Sequence, residues 1–495
     1  MNPIKDIVIV GGGTAGLITA LIFKTSFPHY NIKLIKSSDV GIIGVGEGST
    51  EHWNDFQEYV GIDPWELIVK TDATFKLGIL FKDWKKIGSS YVHNINFNPN
   101  PSAIGHIEMF DLLSIQTKDN PYILSMDFDK FVKENSIHFN QELNPTNQYH
   151  FDTHKLNIFL QKKCKEIKIQ IEDHYIKNIN LDNKGNISSL LSNKEKTIKG
   201  DFFIDCTGFK RILSSKLNTK FISYQKYLPM NRAITLSTNL NLDKGIEPYT
   251  KCTALNSGWA WKIPTQKKYG NGYVFDNRYL NTDSALNEFN QHLKINAEKA
   301  VKDIKFEAGR VDQNWVKNCV NIGLSSGFIE PLEAQSIGSS IIQAFALVNS
   351  FNTWLINPKV SNKYNKHMID VFNNNVDYIQ LHYFSKRKDS KFWKDKPFEI
   401  TSFNKESFIP FSKGNFSNEL FFDKPYLMFR SLNFYQTYYG LDLLDKDSLK
   451  KTIQQLPQDK LKSLKEEYKK ILPIIGPPRV NHVDILESIK LNYSS

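Results

Sequence analysis

The chain has 495 residues, 40% of them hydrophobic and 13% aromatic, with 63 Lys and Arg against 52 Asp and Glu for a formal charge of +11. This is a globular composition with ample core, long enough for one large composite domain or two to four ordinary ones. The basic excess is scattered in singlets and pairs with acids nearby, so it reads as a solvated face and not as a nucleic-acid patch; no apolar run reaches the roughly 20 residues of a membrane helix.

Cys164, Cys206, Cys252 and Cys319 lie tens of residues apart without CxxC or metal-ligand spacing. Reduced thiols, no metal and a cytoplasmic setting are expected. The first strand begins at Ile7, which leaves no room for a signal peptide.

That strand, Ile7–Val10, runs into Gly11-x-Gly13-x-x-Gly16, and a helical pattern follows from Leu17 to Lys24. A strand turning tightly into a helix gathers free N–H groups and the positive end of a helix dipole at one point, which suits a pyrophosphate. A second strand is expected at Asn31–Ile35. Where dinucleotide folds commonly carry an acid for the ribose, this chain has Lys36-Ser37-Ser38-Asp39. Lys36 either faces a 2′-phosphate, favouring NADP, or is a loop lysine that leaves the ribose to Ser37 or Asp39; the second reading is adopted.

A second glycine-rich loop, Gly44-Val45-Gly46-Glu47-Gly48-Ser49-Thr50, lies close enough in sequence to line the same cofactor, with Ser49 or Thr50 capping the next helix. Alternation of Phe75, Leu77, Ile79 and Phe81 predicts one strand with Lys76 on its opposite face, where a lysine is ordinarily solvated. Residues 91–150 read as an irregular, substrate-side excursion. His150-Phe151-Asp152 opens a helical pattern through Lys163, followed by strands at 167–171 and 175–181 with a turn at Asp182–Gly185. The strand Asp201–Asp205 ends in Cys206-Thr207-Gly208, similar to the second cofactor contact of two-dinucleotide-domain flavoproteins; with the first loop it favours FAD over a lone nicotinamide.

In Gly258-Trp259-Ala260-Trp261-Lys262-Ile263-Pro264 the two tryptophans share one face of a strand, as core or as an indole wall beside a ligand. Gly323–Phe328 and Pro331-Leu332-Glu333-Ala334-Gln335-Ser336-Ile337-Gly338 precede a long helix, Ser339–Leu355. A loop there offers N–H donors to an anion or a flavin oxygen, and Glu333 stands ready for acid–base work or simply serves the helix dipole. From Ile356 the chain reads as helical and aromatic. Tyr426–Leu441 is core or pocket wall, and Asp445–Leu472 is an amphipathic helix pair.

Taken in this order, the glycine loop with Thr14-Ala15, the Gly44–Thr50 loop, Phe75-Lys76-Leu77-Gly78, Trp259-x-Trp261-x-Ile263-Pro264, Pro331-Leu332-Glu333 and His382-Tyr383 to Phe392-Trp393 resemble flavin-dependent halogenases of the tryptophan-halogenase type over roughly residues 1–400. The resemblance implies an α/β fold with α+β elements, in which a flavoprotein-monooxygenase-like FAD-binding Rossmann module is interleaved with a mostly helical substrate module. The FAD module would be discontinuous over 1–355, with substrate-side insertions at about 91–150 and 215–300. Residues 356–495 would form a helical region covering the substrate.

It also implies FADH2, O2 and a halide ion as reactants, a separate flavin reductase, a small electron-rich aromatic substrate and a homo-oligomer as one possible state. A flavin hydroperoxide would give hypohalous acid, which reaches Lys76, acting as hydrogen-bond donor or haloamine, with Glu333 assisting. FAD contacts would come from Gly11, Gly13, Thr14, Ala15, Gly16, Ser37, Val45, Gly46, Glu47, Gly48, Leu324 and Ile337. Halide would sit on the N–H groups of Gln335 and Ser336, and His93, Trp259 and Trp261 would stand on the substrate side. The tryptophans would separate flavin from substrate and disfavour direct hydroxylation.

Three departures stand out. The family's Pro-Leu-Glu-Ser-Thr-Gly is Pro-Leu-Glu-Ala334-Gln335-Ser336 here, and a roomier site would favour bromide or iodide. The His-x-Phe pair that sandwiches indole is matched by His93-Asn94-Ile95 without the Phe, so free tryptophan is not carried over as substrate. Leu17 stands where the relatives usually carry a tryptophan. The rival readings are an FAD-dependent aromatic monooxygenase using NAD(P)H, which Lys76 and the tryptophan pair argue against, and a basic nucleic-acid binder, which lacks an aromatic-plus-basic module.

Overall fold

A computed structural model describes residues 4–41, 44, 46–94, 135–138, 148–300, 302–416, 424, 426–471 and 479–494. The chain forms two compact units: Met1–Ala73, Phe151–Gln225 and Glu307–Asn373 make the first, and Thr74–His150, Lys226–Phe306 and Asn374–Ser495 the second.

The first unit is built on a six-stranded sheet, in the order Trp315–Val316, Cys319–Asn321, Phe202–Asp205, Asp6–Val10, Asn31–Lys36 and Gln170–Asp173. Every neighbour is parallel except the short Trp315–Val316 edge. Strands of a parallel sheet are covered on both faces, which is why Ile7–Val10 and Phe202–Ile204 read as unbroken apolar runs; all are buried. One face carries an aromatic cluster in which Phe351 meets Phe23 and Phe202 edge-on, each at 5.0 Å between ring centroids. The hairpin sheet Ile176–Leu181, Ile187–Ser192 and Thr197–Lys199 closes the other face through Ile179, Leu190 and Ile198 against Val8, Val10 and Phe203.

The second unit has a seven-stranded sheet in the order Lys302–Lys305, Arg232–Asn239, Lys268–Phe275, Gly258–Pro264, Tyr249–Ala254, Gly78–Lys82 and Ser90–Asn94. One of its faces packs Ile234, Leu236 and Tyr273 against Ala285 and Phe289 of the helix Thr282–Leu293. Register puts Phe81, Cys252 and Trp261 in one row on the other face, and there Phe81 stacks on Tyr91 and His382. The helices Ser402–Ser412 and Ser431–Gly440 bring Phe411, Phe434 and Tyr438 into one buried cluster, so the aromatic stretch after Tyr426 is core.

Three local expectations need correction. The alternating stretch from Thr74 is two strands, Thr74–Lys76 and Gly78–Lys82, which pair with Gln148–Phe151 and with Tyr249–Ala254 and Ser90–Asn94. Alternation reports which face a residue takes, not which neighbour its strand has. His150 and Phe151 are strand, not helix; the helix is Thr153–Glu166, N-capped by Asp152, whose carboxylate accepts from the N–H groups of His154 and Lys155. Neither Ser49 nor Thr50 caps a helix, because His52–Tyr59 starts after Glu51 without a side-chain cap. The helix His482–Ser494 falls in the region read as helical, whereas the strand Arg479–Asn481 before it was not anticipated.

Candidate active site

The first unit carries the cofactor candidates. Gly11 has φ +121°, and a Cβ there would fall 2.1 Å from the Cys206 carbonyl oxygen; at Gly16 it would fall 1.9 Å from the Gly11 oxygen. Both glycines therefore serve close backbone packing. Gly13 differs: a Cβ there meets nothing within 4 Å. Gly13 precedes the helix Thr14–Ser26, whose start has no side-chain cap, so no capping side chain takes its first N–H groups. Asn157 pins the loop by donating from Nδ2 to the Gly12 carbonyl at 2.7 Å.

After the second strand, Lys36 lies 3.6 Å from Asp173, which also accepts the Ser38 N–H. The Ser37 hydroxyl is buried with no partner among the described residues, as a ribose-binding hydroxyl would be before its ligand arrives. In the second loop, Gly46 N–H donates to the Thr153 hydroxyl at 3.0 Å and Glu47–Gly48 is extended; Val45 lies outside the described residues. Asp205 is buried, and its carboxylate accepts from Thr207, Leu213 and Ser214 main-chain N–H groups and the Thr207 hydroxyl, so it closes its own loop. Burial pushes its pKa upward against those bonds. The residues present fit a dinucleotide cofactor: an uncapped helix start, a glycine opening onto free space and an orphaned hydroxyl at the end of the second strand.

Leu324 sits in the short 3-10 turn Gly323–Ser325. Gly323, at φ +74°, lies so close to Ala15 that an added Cβ would be 2.6 Å from the alanine methyl. Glu333 ends the 3-10 turn Pro331–Glu333 and is 2% exposed. Ala334 then takes a left-handed conformation, φ 54°, and the helix Gln335–Ile356 begins without a side-chain cap. The Gln335 amide donates back to the Glu330 carbonyl at 2.6 Å, and Ile337 is buried.

The second unit holds Lys76, His93, Trp259 and Trp261. Lys76 is fully buried, on the short strand whose partner residue is Gln148. Its surroundings contain two histidines that sequence reasoning passed over. The Thr74 hydroxyl donates to the Pro264 carbonyl at 2.8 Å, so toward His150 Nδ1, at 3.2 Å, it accepts. His150 Nε2 then accepts from the Thr250 hydroxyl at 2.9 Å. The Thr74 contact puts a proton on Nδ1, and burial keeps the ring neutral, which leaves Nε2 as the acceptor. Burial, then the Lys76 ammonium and His482, hold its pKa well below the usual histidine range. No sequence signal marked His150 or His482, because each is a lone histidine whose partners lie far along the chain.

His93 is buried, with Nε2 accepting from the Asn433 amide at 3.0 Å and Nδ1 3.3 Å from the Tyr378 hydroxyl. Trp259 is fully buried and Trp261 partly so, their rings 6.0 Å apart. Trp261 lies across Gly272, where a Cβ would come within 2.1 Å of the indole, and its Nε1 has no partner among the described residues.

Partition of the candidates follows the two units. Gly11–Gly16, Ser37, Gly46–Gly48, Leu324, Glu333, Gln335, Ser336 and Ile337 belong to the first, and Lys76, His93 and the tryptophans to the second. Among the described residues no cluster of three His, Cys, Asp or Glu is placed to hold a metal, and no helix is long and apolar enough to cross a membrane.

A glycine turn from a parallel strand into an uncapped helix is the arrangement of a dinucleotide-binding α/β fold, and here a second unit buries a lysine. The tryptophan halogenase family model matches residues 6–457. Tryptophan 6-halogenase SttH of Streptomyces toxytricini is 31% identical over 423 residues, covering 80% of this chain and 81% of that protein. Tryptophan 7-halogenase RebH of Lentzea aerocolonigenes is 30% identical over 419 residues, covering 79% of each. The structure of BrvH, a flavin-dependent halogenase from Brevundimonas sp. BAL3, superposes with a TM-score of 0.82 at 25% identity over 98% of this chain and 99% of that one. The chain belongs to the tryptophan halogenase family and is a flavin-dependent halogenase.

Proposed function

We propose that the protein uses FADH2, O2 and a halide ion to halogenate a small electron-rich aromatic substrate, with a separate flavin reductase supplying the reduced cofactor. FAD would lie along Gly11–Gly16, Ser37, the Gly44–Gly48 loop, Leu324 and Ile337. Reduced flavin supplies the two-electron activation of O2 that converts halide to hypohalous acid. The N–H groups of Gln335 and Ser336 would hold the halide.

Lys76 donates a hydrogen bond from its ammonium to the oxygen of hypohalous acid, which weakens the oxygen–halogen bond, or carries the halogen as a haloamine. The aromatic carbon takes the halogen without its bonding electron pair, and the oxygen, accepting the proton that the Lys76 ammonium offers, leaves as water. Glu333 polarises the electrophile or takes the ring proton from the resulting cation, restoring aromaticity. A desolvated site makes each of these contacts stronger than it is in water. Trp259, Trp261 and His93 stand on the substrate side.

The observation that carries this reading is the complete burial of Lys76 in a member of this family: a lysine serving solubility would be exposed. Ala334-Gln335-Ser336 replaces the family's Ser-Thr-Gly and so alters the halide loop; a site made roomier by that change would take bromide or iodide ahead of chloride. The test is incubation with flavin reductase, FAD, NADH and a panel of indoles, phenols and pyrroles, with equimolar chloride, bromide and iodide, read by mass spectrometry. Reductase-dependent halogenated product is expected. NADH or NADPH oxidation by the protein alone, with hydroxylated product, would overturn the reading, and a clear chloride preference would overturn the halide assignment.

A further inference from the structure

His482 is the first residue of the helix His482–Ser494, beyond residue 457 where the family match ends. It is fully buried, and three bonds fix it. Its main-chain N–H donates to the Asn135 carbonyl at 3.0 Å. Its ring Nδ1 meets the Ile246 carbonyl at 3.0 Å, and its Nε2 accepts the Phe75 main-chain N–H at 3.1 Å. The preceding strand, Arg479–Asn481, pairs with Ser136–His138, so the ring is placed by backbone as well as by its own contacts.

An amide N–H can only donate and a carbonyl can only accept. The ring is therefore neutral, with its proton on Nδ1 and its lone pair on Phe75. Both nitrogens are engaged in holding main chain: Nδ1 holds the Ile246 carbonyl, and Nε2 holds the peptide N–H of the residue before Lys76, in a strand only three residues long, Thr74–Lys76. A short strand has few ladder bonds to fix its side-chain directions, and a reacting lysine must be held to a fraction of an ångström.

We propose that His482 is a positioning residue for Lys76: by accepting the Phe75 hydrogen bond it sets the direction in which the lysine leaves its strand, and so couples the C-terminal segment to the chemistry. The proposal rests on the reading of Lys76 as the residue that directs the halogen. An apolar side chain of similar size would fill the same space, yet would leave the Phe75 N–H and the Ile246 carbonyl without these partners.

The experiment compares His482→Leu with His482→Gln, whose amide retains an acceptor and a donor, in the full-length enzyme. The assay supplies flavin reductase, FAD and NADH, with bromide and indole as probes. His482→Leu is expected to lower kcat for bromoindole by about 10- to 100-fold, with KM, flavin reoxidation and FAD affinity unchanged and free hypobromous acid increased. His482→Gln is expected to recover most of that loss. Without any turnover, hydrogen exchange of the peptide carrying Phe75 and Lys76 should quicken by about tenfold or more in His482→Leu and stay slow in His482→Gln.

Wild-type bromination by His482→Leu, or equal loss in both variants with unchanged exchange, would overturn the proposal. If Lys76→Ala is inactive while His482→Leu is normal, the positioning role alone fails. If Lys76→Ala still brominates and His482→Leu lowers activity equally in that background, the reading of Lys76 fails and the proposal falls with it.

Discussion

The main-chain N–H of Phe75 meets Nε2 of His482 at 3.1 Å, a bond between residues 407 positions apart. It is possible only while the ring is neutral. Burial pushes the pKa of His482 down to about 4, with the Ile246 carbonyl bond and Glu247 pulling the other way. His150 is displaced in the same direction by burial, Lys76 and His482.

These two rings make stability depend on pH in a defined direction. A histidine whose folded pKa is depressed contributes stability that is full above its unfolded value of 6.5 and is lost as pH falls toward 4. For His482 the loss across that window is about 3 kcal/mol. Asp377, which burial raises to about 7, acts in the opposite sense. It cancels when wild type is compared with His482→Leu. Urea midpoints at pH 7, 5.5 and 4.5 should therefore fall more steeply for wild type than for the variant; parallel curves would contradict the assignment.

The glycines of the first loop should separate into two kinds. Gly16→Ala drives a Cβ to 1.9 Å from the Gly11 oxygen, and is expected to cost about 1–3 kcal/mol of stability along with FAD binding. Gly13→Ala meets open space, and is expected to stay within about 1 kcal/mol of wild type while weakening FAD. Melting temperature and flavin-fluorescence titration of both variants check this. Intact FAD affinity in Gly13→Ala would remove that glycine from the cofactor site.

Glu333 is 2% exposed at the end of a 3-10 turn in the first unit. Glu333→Gln keeps its shape and removes its charge. Turnover of halogenated product is expected to fall by about 10²- to 10³-fold, with FAD affinity and melting temperature near those of wild type. Stopped-flow flavin oxidation run beside product analysis separates the two effects. A matching loss of flavin oxidation would place Glu333 in cofactor handling instead.

Much of the first unit was legible because its signals are local. The Ile7–Val10 run, the glycine spacing and the buried Phe202–Asp205 strand each state their own structure within a dozen residues. The strand at Thr74 was legible as a strand but not as two, because a period of two is blind to a change of partner at Leu77. Lys76 read as solvated on residue type alone and is fully buried; its importance came from the motif around it. His150 and His482 were illegible for a different reason. Their roles depend on Thr74, Thr250, Phe75 and Ile246, contacts that no spacing along the chain encodes. The Gly44–Thr50 stretch misled about capping, since Ser and Thr before a helix are a preference that the Glu51 start did not use.

Lys76→Ala tests the account most directly. With flavin reductase, FAD, NADH, bromide and an electron-rich aromatic, the variant should consume reduced flavin at the wild-type rate and release free hypobromous acid. Halogenated product should fall by at least about 10²-fold. Product yield equal to wild type would contradict the central claim, since a buried lysine that the reaction does not need would be only a structural residue.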